Sequence, residues 1–127
     1  MAQVFVAVGD APRKIVGYYS LSAASFEKAA LPSALAKRLP HYPVPAAVLG
    51  RLAIDREEQG RGLGETLLLD AIRRFVRASM TIAVYAIIVD AKNDRAQSFY
   101  ERYGFRGFTS EPRRLFLPLE TFEKLGL

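Results

Sequence analysis

The sequence lacks several residues on which common kinds of site are built. It contains no cysteine, which excludes disulfides, thiolate nucleophiles and zinc sites with cysteine ligands. Its one histidine, His41, cannot hold a metal ion alone, so we expect no metal site. No apolar run is long enough to cross a bilayer, and the first residues lack the basic-then-apolar order of a signal peptide. We therefore expect a soluble, cytoplasmic protein without a membrane partner.

The composition is that of a small globular domain. Of the 127 residues, 50% are hydrophobic, which suffices for one buried core, so we expect a single domain over residues 1–127. Lys and Arg number 18 against 13 Asp and Glu, which gives a formal net charge of +5. This balance favours polyanionic or phosphate-bearing partners without identifying one.

Hydrophobic periodicity predicts an alternation of strands and helices. The run TIAVYAIIV shows little polar alternation, which is typical of a strand covered on both faces. The predicted strands lie over residues 3–8, 15–22, 46–54, 81–89 and 114–119. The predicted helical segments lie over 25–39 with a break at Pro32, through Leu67 to Phe75, and from Asn93 or Asp94 to about Tyr103, where Gly104 ends the helix; a proline-rich loop covers 39–45.

Three glycines alternate in the stretch EQGRGLG, between the strand over 46–54 and the helix after it. A strand–loop–helix–strand unit places such a loop at the carboxyl edge of a sheet. Backbone N–H groups free of side chains, the positive end of the helix and Arg61 would attract an anion there. The nucleoside triphosphate motif does not fit, because Gly64 is followed by Glu65 rather than lysine, and G-x-G-x-G departs from the dinucleotide motif. We therefore interpret the stretch as a phosphate site.

Two segments carry a resemblance to a known family. Gln59-Gly60-Arg61-Gly62-Leu63-Gly64 resembles the Q-x-x-G-x-G/A loop that binds the acetyl-CoA pyrophosphate in the GNAT superfamily of acyltransferases. Asn93, Ala96, Phe99-Tyr100 and Tyr103-Gly104-Phe105 are similar to its N-x-x-A-x-x-x-Y-x-x-x-G-F segment. The resemblance implies an α/β (α+β) fold, with a mixed, mostly antiparallel twisted sheet, a central splayed pair of parallel strands, and flanking helices.

The resemblance also implies a role for each part of the site. Acetyl-CoA is the cosubstrate, and Tyr100 is the catalytic residue whose hydroxyl protonates the departing thiolate. A phenol of pKa ~10 can do this, since the pKa of a free thiol is ~8.5. The pantetheine arm contacts Asn93 and lies between the splayed strands. The resemblance further implies that the pantetheine amides bond to the backbone of Leu52, Ala53 and Ile54. It implies that the pyrophosphate is held by Gln59, Gly60, Arg61, Gly62, Leu63 and Gly64.

No general base stands out in the sequence. Asp55, Glu57 and Glu58 lie near the loop, but carboxylates there are more often solvated or helix-start residues. His41 is surrounded by prolines, and we expect it to be a loop residue. An α-amine of pKa ~7.7 is partly neutral near pH 7 without a general base, whereas a lysine amine of pKa ~10.4 needs a general base more urgently.

A narrower resemblance concerns the order of the segments. IVGYYSLS, VLGRLAID, QGRGLGETLLLDAI, VDAKNDRAQSFYERYGF and RRLFLPL together resemble the acetyltransferase toxins of bacterial type II toxin–antitoxin pairs. Those enzymes acetylate the α-amine of aminoacyl-tRNA and block translation. The positive net charge agrees with a tRNA partner. The candidate phosphate-binding cations are Arg13, Lys14, Lys37, Arg38, Arg73, Arg74, Arg77, Arg113 and Arg114.

The resemblance leaves other partners and activities open. It implies a ribbon-helix-helix antitoxin as a partner, and a homodimer is open as the assembly. One alternative is an acetyltransferase for a small amine, a peptide or a protein; another is a non-catalytic module that binds nucleic acid or an antitoxin. Family members usually carry a further strand and helical segment before the first hairpin, and we expect these to be missing here. Because those elements help to form the acceptor side of the site, the identity of the acceptor is the least defined part of the prediction.

Overall fold

The computed structural model describes residues 3–9, 14–27, 30–33, 43–79, 84–109, 111 and 113–119. Among the described residues, no helix is long and apolar enough to span a membrane. The strands are β1 (Gln3–Val8), β2 (Ile15–Phe26), β3 (Val44–Ile54), β4 (Ala86–Asp90), β5 (Arg106–Gly107) and β6 (Arg114–Pro118). The helices are α1 (Leu63–Ser79) and α2 (Asp94–Glu101), with a 3-10 turn at Arg56–Glu58.

The described strands form one sheet in the order β1-β2-β3-β4-β6-β5. Neighbouring strands run antiparallel, except for β3 and β4, which are parallel. The parallel pair arises because α1 crosses over between β3 and β4, as a connection between parallel strands requires. The mixed sheet with a central parallel pair, predicted from the resemblance, is confirmed.

Apolar side chains cover both faces of the sheet. On one face, α1 buries Leu68, Ile72 and Phe75 against the sheet, together with Tyr100 of α2. On the other face, Phe116 belongs to a second buried cluster. Ala86, Ile87, Ile88 and Val89 of β4 are all 0% exposed, which confirms the predicted strand with two covered faces.

β2 is longer than the sequence predicts, and the prediction of a helix from Ser25 is wrong at its first two residues. Ser25 pairs with Pro45, and Phe26 pairs with Val44. The early start of β3 supplies this partner, so long-range pairing outweighs the local helical spacing. The rest of the predicted helical segment lies mostly outside the described residues, as do His41 and most of the proline-rich loop.

Pro45 lies inside β3, although the sequence assigned it to a loop. Its carbonyl accepts a hydrogen bond from the Tyr85 N–H at 2.8 Å. The N–H that proline lacks would point to the same side, toward β4, where the ladder begins only with Ala46 and Ala86. No ladder bond is therefore lost at Pro45.

The other element ends differ by a few residues. β4 begins at Ala86 rather than Thr81, although residues 81–83 are outside the described part, and β6 ends at Pro118. The predicted cap of α2 is confirmed, since the Asn93 side chain accepts from the Ala96 N–H at 2.8 Å. Gly104 has φ of 95°, which confirms the predicted left-handed residue after this helix. The short strand β5 was not predicted.

A buried tyrosine ties α1 to the amino-terminal hairpin. Tyr19 of β2 is 0% exposed, and its hydroxyl donates a short hydrogen bond to Asp70. The Arg74 Nε donates to the Tyr19 oxygen at 2.8 Å and to Asp70 at 3.2 Å. The Arg74 guanidinium also lies 4.0 Å from the ring centroid of Phe5 in β1. Two strands and a helix therefore share one polar contact at the edge of the core.

We expect Tyr19→Phe to lower the free energy of unfolding by about 1 kcal/mol, because it removes a hydroxyl whose partners stay in place. Tyr18→Phe is the matched control, since no described polar group contacts the Tyr18 hydroxyl. Urea denaturation at neutral pH measures both. Equal stability of the two variants would contradict the role given to Tyr19.

The pH dependence gives a second readout of the same contact. Burial first, and then the bond to Asp70, raise the pKa of Tyr19 to about 12. The folded state thus favours the protonated phenol, so this contribution is present below pH ~10 and is lost as the pH rises toward 12. Between pH ~10 and 12, the free energy of unfolding should therefore fall less in the Tyr19→Phe variant than in the unmodified chain.

Candidate active site

The parallel strands β3 and β4 separate part-way along β3. Their ladder joins Ala46–Leu49 to Ala86–Val89. Beyond Leu49, β3 continues to Ile54 while paired with β2. β4 ends at Asp90, and the chain turns into α2. A gap therefore opens between the carboxyl ends of the two strands.

A bulge lies where the strands separate. Ser20 of β2 pairs with Arg51, and Leu21 pairs with Leu49, so that Gly50 is the extra residue in β3. A bulge bends its strand and increases the local twist. The end of β3 thereby follows β2 and turns away from β4.

The gap forms one end of a cleft that reaches the glycine loop. A cavity of about 490 Å³ is lined by Leu52 and Ile54 on the β3 side and by Asn93 and Tyr100 on the α2 side. A second cavity of about 480 Å³ adjoins it. The second cavity is lined by Ala53, Gln59, Gly60, Gly62 and Leu63, and the two share Leu52, Ile54, Gly64, Lys92, Arg95, Phe99 and Arg102.

The glycine loop has a backbone that requires glycine at two positions. Gly60 has φ of 86° and Gly62 has φ of 77°, in the left-handed region that side chains with a Cβ rarely adopt. No other protein atom lies within 4 Å of where a Cβ would stand on either residue. The Gly62 carbonyl accepts from the Thr66 N–H at 3.1 Å, so α1 starts directly after the loop. The loop and the free N–H groups of the first helical turn together suit a phosphate.

The side chains of the loop hold it in place. The Gln59 Nε2 donates to the Ile54 carbonyl at 3.2 Å, which ties the loop to the end of β3. Asp55 caps the 3-10 turn by accepting from the Glu57 N–H at 3.2 Å. The exposed Arg61 forms an ion pair with Glu58 at 3.3 Å. The Arg61 guanidinium is therefore engaged by a neighbour, and its predicted contact with a phosphate stays a prediction.

Tyr100 lies at the strand end of the cleft. It is 8% exposed, and its ring packs on Phe99 and Phe105 at centroid distances of 5.3 and 5.4 Å. Burial raises the pKa of Tyr100, so the phenol stays protonated at neutral pH. A neutral hydroxyl in a cleft can donate a proton, which is the role predicted for Tyr100.

Asn93 stands at the start of α2 and lines the first cavity. Its Oδ1 serves as the helix cap, which leaves the Nδ2 group to donate elsewhere. The predicted contact of Asn93 with a pantetheine arm is compatible with this arrangement.

The carboxylates near the loop are engaged. Lys14 lies 3.2 Å from the Asp55 carboxylate and 2.6 Å from that of Glu57. A backbone bond from Glu57, and then the bond from Lys14, lower the pKa of Asp55. Glu58 is paired to Arg61, so each of the three carboxylates is engaged by a neighbour, and we assign none of them as a base.

The candidate phosphate-binding cations differ in whether a carboxylate pairs with them. Arg73 and Arg77 are exposed on α1. Arg13, Lys37 and Arg38 lie outside the described residues. The remaining candidates are paired: Lys14 with Asp55 and Glu57, Arg74 with Asp70, Arg113 with Asp94 at 2.6 Å, and Arg114 with Asp90 at 3.3 Å.

Other cations line the cleft and were missed by the sequence analysis. Lys92, Arg95 and Arg102 contribute to both cavities. Arg95, Phe99 and Arg102 recur at helical spacing, which places Arg95 and Phe99 on one side of α2 and Arg102 on the same side just after its end. This periodicity was readable, but nothing in the sequence showed that this side faces the glycine loop.

The site is thus a cleft between splayed parallel strands, with a glycine loop at a helix start and a buried tyrosine opposite, and this arrangement suits a phosphate-bearing donor. Residues 1–107 match the family described as "Acetyltransferase (GNAT) domain". The chain belongs to this family, which confirms the resemblance stated from the sequence.

The narrower resemblance, to tRNA-acetylating toxins, is also confirmed. A tRNA-acetylating toxin of Mycobacterium tuberculosis is 43% identical over 104 residues, which cover 82% of this chain and 62% of that protein. The chain thus spans less than two thirds of the length of this relative. The fold is similar to that of AtaT complexed with acetyl-methionyl-tRNAfMet, with a TM-score of 0.91, 34% identity, and coverage of 99% of this chain and 76% of that one.

A further solved structure combines two ligands. It is a mutant of the toxin AtaT bound to the C-terminus of the antitoxin AtaR and to acetyl-CoA. Its TM-score is 0.73, with 32% identity, over 90% of this chain and 65% of that one.

Proposed function

We propose that this chain is an acetyl-CoA-dependent N-acetyltransferase that transfers the acetyl group directly to the α-amine of aminoacyl-tRNA. The observation that carries the proposal is the cleft, which runs from the glycine loop, through the gap between β3 and β4, to the buried Tyr100. Its two ends suit the two ends of a thioester donor that has phosphates at one end and the reacting carbon at the other.

The geometry of the cleft supports the proposed contacts to the donor. The loop residues predicted for the pyrophosphate line its phosphate end, apart from Arg61, and the donors there are backbone N–H groups. The backbone of Leu52 to Ile54 lies beyond the end of the ladder with β4 and can pair with the amides of a pantetheine arm. Asn93 can add its Nδ2 group from the opposite wall.

The chemistry requires one proton donor in the cleft. The amine nitrogen forms a bond to the acyl carbon as the carbon–sulfur bond breaks, and the thiolate takes a proton from the Tyr100 hydroxyl. The amine proton leaves to solvent, and the phenol is reprotonated. Since burial keeps Tyr100 neutral, it is in its donating form throughout the range in which an α-amine of pKa ~7.7 becomes neutral.

The acceptor is supported by charge and by relatives. The formal net charge of +5 and the exposed Arg73 and Arg77 suit a polyanion. The carboxylates beside the loop are engaged, and an α-amine tolerates the lack of a dedicated base. The relatives act on or bind tRNA, as their names state. Such an acceptor places the reaction in the cytoplasm and makes the chain a toxin that blocks translation.

An antitoxin partner is part of the same proposal. The AtaT structure with the antitoxin AtaR supports it. We keep the ribbon-helix-helix class of the antitoxin and a homodimeric assembly as predictions from the sequence resemblance. The single domain over residues 1–127 also stays a prediction.

Tyr100→Phe separates binding from chemistry. It removes only a hydroxyl, so the affinity for acetyl-CoA should persist while acetyl transfer falls roughly 10²- to 10⁴-fold, as is typical for loss of a general acid. Single-turnover kinetics and calorimetry measure the two quantities. Tyr18→Phe is the control for loss of a tyrosine hydroxyl. Unchanged transfer in Tyr100→Phe would show that another group protonates the thiolate.

The dependence on salt tests the acceptor. Binding of tRNA phosphates releases counterions, so the affinity for charged tRNA should fall as the salt concentration rises. At enzyme concentrations too low to saturate the tRNA, the rate of single-turnover acetylation should therefore fall steeply with salt. A free amino-acid ester, used as a minimal acceptor, should show little dependence. A flat response for tRNA, with an equally fast reaction of the ester, would leave an acetyltransferase for small amines.

A further inference from the structure

Three exposed cations share one side of the cleft. Lys92 precedes α2, Arg95 lies in its first turns, and Arg102 lies just after its end. All three line both the cavity beside Tyr100 and the cavity beside the glycine loop. The Arg102 guanidinium lies 5.8 Å from the ring centroid of Phe99, and that ring lies 3.8 Å from where a Cβ of Gly64 would stand. The cations therefore face the start of α1 across the cleft.

The carboxylates that line the cleft do not neutralise these cations. In the part of the chain that the structure describes, no carboxylate lies at ion-pair distance from Lys92, Arg95 or Arg102. The cleft carboxylates have other partners, namely Arg61 for Glu58 at 3.3 Å, Tyr103 for Glu65, and Arg114 for Asp90 at 3.3 Å.

The consequence is a positive field on the α2 side of the cleft. The sequence predicts that Arg61 supplies positive charge to the phosphates. In the structure, Arg61 is paired with Glu58. The loop offers backbone N–H groups for the pyrophosphate, and the three cations line the same cavity from the α2 side. A ligand that carries phosphate at two places can use both the loop N–H groups and the cations.

We propose that Lys92, Arg95 and Arg102 form a second phosphate subsite, which takes the 3′-phosphate on the nucleotide end of coenzyme A. This inference rests on the proposed acetyl-CoA donor. Coenzyme A carries a pyrophosphate and a separate ribose 3′-phosphate, and so matches a loop site with a cationic site beside it. The subsite makes the chain selective for acetyl-CoA over the donor without the 3′-phosphate.

Calorimetric titration with acetyl-CoA and with acetyl-dephospho-CoA tests the subsite. The unmodified chain should bind acetyl-CoA roughly tenfold or more tightly, as contacts between a phosphate and several exposed cations suggest. Arg95→Gln combined with Arg102→Gln should remove most of this preference by weakening acetyl-CoA alone. Lys92→Gln is a milder variant for the same measurement. Arg77→Gln is the matched control, because it removes one positive charge near the far end of α1, about 20 Å from the loop.

The outcomes are distinguishable. If the unmodified chain binds neither donor, the proposed function fails and the subsite with it. If it binds both donors equally, or if the variants weaken both equally, the subsite is wrong while the donor stands. If the variants keep the preference between donors but raise the KM for charged tRNA, the three cations contact the acceptor instead, which also overturns the subsite.

Discussion

The end of the parallel ladder between β3 and β4 is the constraint on which the site depends. The ladder stops at Leu49 and Val89, because the bulge at Gly50 keeps β3 with β2 while β4 gives way to α2. Inside the sheet, backbone N–H and C=O groups are paired by neighbouring strands. Beyond Leu49, one edge of β3 has no such neighbour among the described strands, so it can pair with a ligand.

The other parts of the site follow from this separation. The glycine loop comes directly after β3, so the positive-φ residues Gly60 and Gly62 stand at one end of the gap. α2 comes directly after β4, so Tyr100 stands at the other end, packed into the core that α1 shares. That burial fixes the ring and raises the pKa of the phenol. One packing arrangement therefore sets both the position and the protonation state of the proposed acid.

Local features of the site could be predicted from the sequence, and long-range ones could not. The backbone at Gly60 and the cap at Asn93 are read from a few adjacent residues, because their physics is local. Ser25 was placed in a helix because its strand partner, Pro45, is distant in sequence. Likewise, the engagement of Arg61 by Glu58 depends on side-chain geometry that the motif does not contain. The backbone conformation of the motif could therefore be predicted, whereas the cations that line the cleft, Lys92, Arg95 and Arg102, could be identified only from the fold.

Residue-resolved hydrogen exchange of backbone amides, with and without acetyl-CoA, tests most directly whether the gap between β3 and β4 holds the donor. We predict slower exchange in residues 50–54 and 60–65 when acetyl-CoA is present, because the donor would cover the free edge of β3 and bond the loop amides. The carboxyl-terminal half of α1 should be unchanged and serves as the internal reference. Protection confined to β1 and the end of α1, or no protection at saturating acetyl-CoA, would contradict the account.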